Sequence, residues 1–226
     1  MTVPVIAIDG PSGSGKGTVA RAVATALGWH LLDSGALYRL AALAAERAGV
    51  ALDDPAGLAR VASGLDVRFR AGTDGNERIE LAGEDVTAAI RSEACASTAS
   101  RVAVVPELRS ALVDLQRSFR RPPGLVADGR DMGSVIFPEA GLKIFLTASA
   151  EERAERRHKQ LKAQGMNVSL AALSADISQR DQRDASRRVA PLRPTADAVH
   201  IDSTGRSVAE VVNDILAHAR QRLVQR

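Results

Sequence analysis

The sequence predicts an α/β fold of three layers, a mostly parallel central sheet covered by helices on both faces. Three observations carry that prediction. Short, continuously apolar, β-branched runs recur along the chain, as they do in strands buried on both faces. Segments with apolar residues at helical spacing lie between them, and strands that alternate with helices build parallel sheets. At 226 residues, 45% of them apolar, the chain can bury one sizeable core, which favours one large domain with inserted pieces over two equal domains.

In chain order, "VPVIAID" (3–9) is the first strand and "GPSGSGKGT" (10–18) a glycine-rich loop. Val19, Ala20, Val23 and Leu27 then recur at helical spacing up to Gly28, a natural helix C-cap. "WHLLD" (29–33) is the second strand, and "GLVAD" (124–128), "LKIFLTA" (142–148) and "AVHID" (198–202) are three more. Helices are expected over 106–121, 149–165 and 207–224. The middle of the chain breaks the rhythm. Over 64–86 apolar and polar residues alternate on both sides of "GTDGN", the mark of a solvent-facing β-hairpin. That hairpin belongs to a β-rich insertion between the second and third core strands, covering 36–122.

Composition narrows the function classes. The formal net charge is only +3, and lysine occurs four times (Lys16, Lys143, Lys159, Lys162), so arginine supplies the rest of the basic side. Base composition accounts for arginine in bulk. Guanidinium forks also grip phosphates in a bidentate way, and position separates the two readings. Cys95 is the sole cysteine, which excludes an intrachain disulfide and a cysteine metal site. The N-terminus lacks a charged segment followed by a long apolar stretch, and no run reaches the roughly 18 apolar residues of a membrane span, so a cytoplasmic protein with no membrane partner is expected.

The glycine loop carries the chemistry. Gly10, Gly15 and Lys16 fit G-x-x-x-x-G-K, the P-loop pattern, between a strand and a helix as that pattern requires. Small residues at Gly10, Ser12, Gly13, Ser14, Gly15 and Gly17, with Pro11 among them, let backbone N–H groups approach phosphate oxygens, and the helix starting near Lys16 adds its positive end. Lys16 would bridge the outer phosphates, and the Thr18 hydroxyl lies near the expected magnesium position. The pattern asks for Ser or Thr at position 17 and finds Gly17, with the hydroxyl one residue late. "GKGT" resembles the loop of nucleoside monophosphate kinases. The magnesium must then lean more on waters and phosphates than on a protein hydroxyl.

A phosphate acceptor is already ionised, so it needs positioning and charge neutralisation rather than a base. Arginines at strand ends should therefore converge. Three stretches meet that expectation. "LLDSGALYR" (31–39) puts Ser34, Tyr38 and Arg39 at the carboxyl edge of a strand, where open α/β sheets bind ligands. "VADGRDMGSVIFP" (126–138) ends a buried strand on Asp128, Arg130 and Asp131, charges that are costly there unless paired or used. "QRDQRDASRRVAP" (179–191) places Arg180, Asp184 and Arg187 at i, i+4 and i+7 on one helix face.

Together "IDGPSGSGKGT", "LDSGALYR", "LVADGRDMGSVIFPEA", "KIFLTAS" with "EERAERR", and "RDQRDASRRVAPL" resemble, in order and over nearly the full length, the bacterial cytidylate kinase family of nucleoside monophosphate kinases. The resemblance implies transfer of the γ-phosphate of ATP to CMP or dCMP. Ser34 and Tyr38 would shape the acceptor pocket, and Arg39, Arg130 and Arg187 would hold the acceptor phosphate. Ser100, Arg109 and Asp131 would read the cytosine, while Arg180 and Asp184 would meet the sugar. Arg153, Arg156 and Arg157 resemble a lid over ATP, in a lid region at 150–187; Arg153 and Arg157 join Lys16, Arg130 and Arg187 as the expected catalytic set. Mg²⁺ is the expected cofactor and a monomer the expected state.

The rival within the same class is a P-loop kinase for another nucleotide or small metabolite. A nucleotide-gated protein binding RNA or DNA would show basic stripes with aromatics for stacking. Only 3% of residues are aromatic, and the informative arginines alternate with aspartates, so no nucleic-acid partner is expected.

Overall fold

A computed structural model describes residues 2–71, 77–163, 165 and 168–223. The chain runs β1 (Val5–Asp9), α1 (Lys16–Leu27), β2 (His30–Asp33), α2 (Ser34–Arg47), α3 (Pro55–Ser63), β3 (Val67–Ala71), β4 (Glu77–Leu81), β5 (Glu84–Asp85), α4 (Thr87–Ile90), α5 (Glu93–Val102) and α6 (Pro106–Arg117). It continues through β6 (Leu125–Gly129), a π-helical turn (Met132–Ile136), β7 (Leu142–Thr147), α7 (Ala150–Ala163), α8 (Leu170–Ala185), β8 (Val199–Asp202) and α9 (Val208–Leu223). It divides into two compact units, one of 1–33 with 117–226 and one of 34–116.

The first unit holds a five-stranded sheet in the order β2-β6-β1-β7-β8. Every pairing in it is parallel, so the fold class expected from the apolar runs is the one observed. All five residues of β1 and of β6 are buried, as central strands covered on both faces must be. Val19, Ala20, Val23 and Ala24 of α1 and Val211, Val212, Ile215 and Ala219 of α9 share one core cluster with Ile6, Ile8, Val126 and Ile144. The chain leaves β1 toward β2 on one side and later crosses from β6 to β7 on the other. Such a reversal opens a crevice at the carboxyl ends of the strands, which here end on Asp9, Gly129 and Thr147.

The second unit carries the antiparallel sheet β3-β4-β5, with Val67 opposite Leu81 and Phe69 opposite Ile79. The tip of the expected hairpin, 72–76, lies outside the described residues. Most of this unit is helical. Its core packs Tyr38, Ala41, Ala42 and Ala45 of α2 against Leu58, Val102, Leu108 and Leu112. Ser34, Tyr38 and Arg39 sit on a helix that begins directly at the end of β2.

Candidate active site

The phosphate loop joins β1 to α1. Gly10 has φ +152°, and a Cβ there would lie 2.0 Å from the Leu146 carbonyl oxygen, so only glycine fits. Gly15, at φ 89°, is the left-handed N-cap of α1. Inside the loop the Ser14 hydroxyl donates to the Pro11 carbonyl at 3.1 Å, and Lys16 Nζ donates to the same oxygen at 2.7 Å. Lys16 is buried. Burial, then the neighbouring Arg130, lowers its pKa, against the pull of Asp128, Asp9 and Asp184. A polyphosphate would supply the counter-charge that restores the ammonium.

Asp128, in β6, faces this lysine. Burial raises its pKa, and Lys16 opposes that shift. A Cβ on Gly17 would lie 3.3 Å from Asp128 Oδ2, so the missing side chain at position 17 leaves room for this carboxylate. Asp128 Oδ1 is buried without a hydrogen-bond partner. Among the described residues no group of three or more His, Cys, Asp or Glu side chains could hold a metal. The unpartnered Asp128 Oδ1 is a hard oxygen of the kind that suits Mg²⁺, which keeps most of its waters and takes one or two protein oxygens plus substrate phosphates.

Asp184 gathers the acceptor-side arginines. Arg130 donates from Nε to Asp184 Oδ2 at 2.9 Å and from Nη1 to the Gly129 carbonyl at 3.1 Å. Arg187 Nη2 donates to Asp184 Oδ1. Desolvation lowers the Arg130 pKa, but the Asp184 and Asp128 carboxylates more than compensate, so it is raised overall. The shared helix face expected for Arg180, Asp184 and Arg187 holds only for the first two. The α8 helix stops at Ala185 with Ser186 as its cap, and Arg187 reaches Asp184 from the turn beyond. The chain reverses there, with Ala190 at φ 52° and Leu192 N donating to the Asp184 carbonyl at 2.9 Å. Arg180 pairs with Asp176 at 2.9 Å, one turn back. Asp131 is buried directly ahead of the π-helical turn.

The lid arginines divide their tasks. Arg153 is buried; it donates to the Ala148 and Ser12 carbonyls at 3.1 and 3.0 Å and pairs with Asp181 at 2.6 Å. Arg156 donates to the Ser14 carbonyl at 3.3 Å, to the Ser203 hydroxyl at 3.0 Å and to the Ser203 carbonyl at 2.7 Å. Arg157 donates to Gln160, farther along its own helix, at 2.8 Å. Sequence reasoning left Arg156 out of the catalytic set and missed Ser203, a buried serine whose hydroxyl lies 3.1 Å from the Ser14 carbonyl. Helical spacing in "EERAERR" puts Arg153 on a face shared with Arg156 and Arg157 alike, so those letters do not separate the two.

In the second unit, Ser34 and Tyr38 are buried on α2, and Arg39 donates to the Ile90 carbonyl at 3.3 Å. Arg109 is buried, donates to the Ala103 carbonyl at 3.1 Å and stands 5.7 Å over the Tyr38 ring. The Ser100 hydroxyl is buried with no hydrogen-bond partner. An exposed helical serine and arginine would be the ordinary case, and neither residue is one.

A sequence model of the family described as cytidylate kinase matches residues 6–221. The chain belongs to the cytidylate kinase family. The cytidylate kinase of Edwardsiella ictaluri is 56% identical to it over 222 residues, 98% of each chain. That of Stutzerimonas stutzeri is 58% identical over 221 residues, 97% of this chain and 96% of its own. Among solved structures, a gluconokinase from Sinorhizobium meliloti 1021 superposes with a TM-score of 0.51 at 18% identity, covering 98% of this chain and 95% of its own, a likeness of fold. No helix among the described residues of this cytidylate kinase family member is long and apolar enough to cross a membrane.

Proposed function

We infer that the protein transfers the γ-phosphate of ATP to CMP or dCMP, giving CDP or dCDP and ADP. The observation that carries this is the convergence of Arg130 and Arg187 on the two oxygens of one carboxylate, Asp184, in the unit that holds the phosphate loop. Two guanidiniums fixed around one planar anion are arranged to receive a phosphate, which offers the same fork geometry with more charge.

ATP would lie along residues 10–18, with Lys16 on its outer phosphates. Magnesium, held through Asp128 and Thr18 with waters and phosphates, would neutralise charge on the β- and γ-oxygens. Arg130 and Arg187 orient the acceptor phosphate for in-line attack, and Arg153 and Arg157 of the lid region withdraw charge from the transferred group. Asp131 reads the cytosine amino group. Arg180 and Asp184 serve the sugar; a carboxylate has about four acceptor sites, so Asp184 can hold its arginines and still accept from a hydroxyl. Ser34, Tyr38, Arg39, Ser100 and Arg109 of the 34–116 unit supply the remaining acceptor contacts, and the protein acts as a monomer.

The test is acceptor-dependent ADP release with ATP and magnesium, using CMP, dCMP, UMP, AMP and GMP separately. Turnover on CMP and dCMP with little on purines is expected. ATP binding with no acceptor-dependent release would overturn the reading.

A further inference from the structure

Asp9 belongs to neither the phosphate-binding nor the acceptor-binding set, yet it is a buried carboxylate at the end of the central strand. A charge in such a place is costly unless it is used. Its Oδ1 accepts from the Met132 amide and its Oδ2 from the Gly133 amide, both at 2.8 Å.

Those two amides open the π-helical turn. Within it, Val135 N and Ile136 N both donate to the Asp131 carbonyl and Phe137 N to the Met132 carbonyl. The first N–H groups of a helical turn have no partner inside it, and Asp9 takes both. The fit is close. A Cβ on Gly133 would lie 3.1 Å from Lys143 Cδ and 3.4 Å from Asp9 Oδ2, and one on Gly129 would lie 2.8 Å from Met132 Cγ. Arg130 and Asp131 are the residues immediately before the held amides. On its other side Asp9 is bonded to Gly10, which is lodged against the Leu146 carbonyl.

We propose that Asp9 is a positioning residue: its carboxylate fastens the Met132–Gly133 amides to the root of the phosphate loop and so fixes Arg130 and Asp131 relative to the donor phosphates. The kinetic part of this proposal rests on the CMP kinase reading above; the structural part does not. Burial pushes the Asp9 carboxyl up to about 6, and the two amide bonds pull it back toward the ionised form that accepts from both.

Asp9→Asn keeps the size but turns an N–H toward one of the two amides. Leaving one buried amide unsatisfied should lower kcat and raise the CMP KM about tenfold each, with the ATP KM changed less than about twofold. In the ligand-free protein, hydrogen exchange of the 132–137 amides should accelerate about tenfold or more, with α1 and β7 unchanged. Unchanged exchange at 132–137, or equal rises in both KM values with general loss of protection, would overturn the proposal. Should Asp9→Asn fail to fold, Gly133→Ala tests the same link from the other side, by crowding Asp9 Oδ2 and the Lys143 stem. A wild-type protein inactive on CMP would sink the functional reading and leave the exchange result to decide this one.

Discussion

Arg130 reaches across 54 residues of sequence to donate its Nε hydrogen to Asp184 at 2.9 Å. The same carboxylate accepts from Arg187 through its other oxygen. The pair places a guanidinium from the end of β6 and one from beyond α8 in a single electrostatic cluster.

Removing one cation of that cluster should show in the chemistry. Arg130→Ala is expected to lower kcat by about 10²–10³-fold, the usual loss for one electrostatic stabiliser of a transition state. Arg130→Lys should recover little, because an ammonium is a point charge without the planar fork. Steady-state kinetics against CMP at saturating ATP checks both.

Removing the anion should show in stability. Asp184→Ala leaves Arg130 and Arg187 facing each other without their shared carboxylate, and breaking a buried pair in this way costs about 3–5 kcal/mol. Urea denaturation would read the loss. A change under about 1 kcal/mol would mean the arginines find other partners.

Arg156 and Arg157 are neighbours with opposite surroundings. Arg156→Ala removes three bonds to Ser14 and Ser203, so it should destabilise the phosphate loop and raise the ATP KM about tenfold or more. Arg157→Ala loses a contact to exposed Gln160 and none of the ties to Ser14 and Ser203, so its effect on stability should be the smaller of the two. If Arg157 serves the transferred phosphate, its loss will appear in kcat alone.

Asp9 gives a pH signature. Its pKa is raised from 3.8 to about 6 by burial, so the folded state binds this proton more tightly than the unfolded chain. Its contribution to stability is therefore fully present below about 4 and is lost as pH rises through about 6, worth at most ~3 kcal/mol. Melting curves at pH 4 to 7 should show wild type gaining on Asp9→Asn as the pH falls. A constant difference across that range would mean that burial does not raise the Asp9 pKa.

Chelation of magnesium should abolish turnover, and Thr18→Val should raise the half-saturating magnesium concentration several-fold, since one of few protein oxygens is removed.

The parallel sheet was legible because buried strands announce themselves as continuous apolar runs, and β1, β6 and β7 fall within two residues of the runs that predicted them. The glycine loop was legible because its conformation restricts residue type. Of the helices of 34–116 only α6 stands out in the letters, within the expected 106–121; α2 is alanine-rich, and alanine packs in a core without giving a strong apolar periodicity. Arg187 was placed on the α8 face because helical spacing continued through "DASRR", and nothing in those letters marks the stop at Ser186. Asp9 was invisible for a different reason. It reads as the end of a strand, and the amides it holds lie 123 and 124 residues away. Contacts of that span carry no local pattern.

The carbonyl bonds of Arg153 and Arg156 have a consequence for the shape of the loop's field. A trans peptide carries its N–H opposite its C=O. With the Ser12 carbonyl turned to Arg153 and the Ser14 carbonyl to Arg156, the Gly13 and Gly15 amides are aimed away from the two guanidiniums. Guanidiniums bonded to two of the loop's carbonyls thus fix the tilt of two peptide planes before any anion arrives.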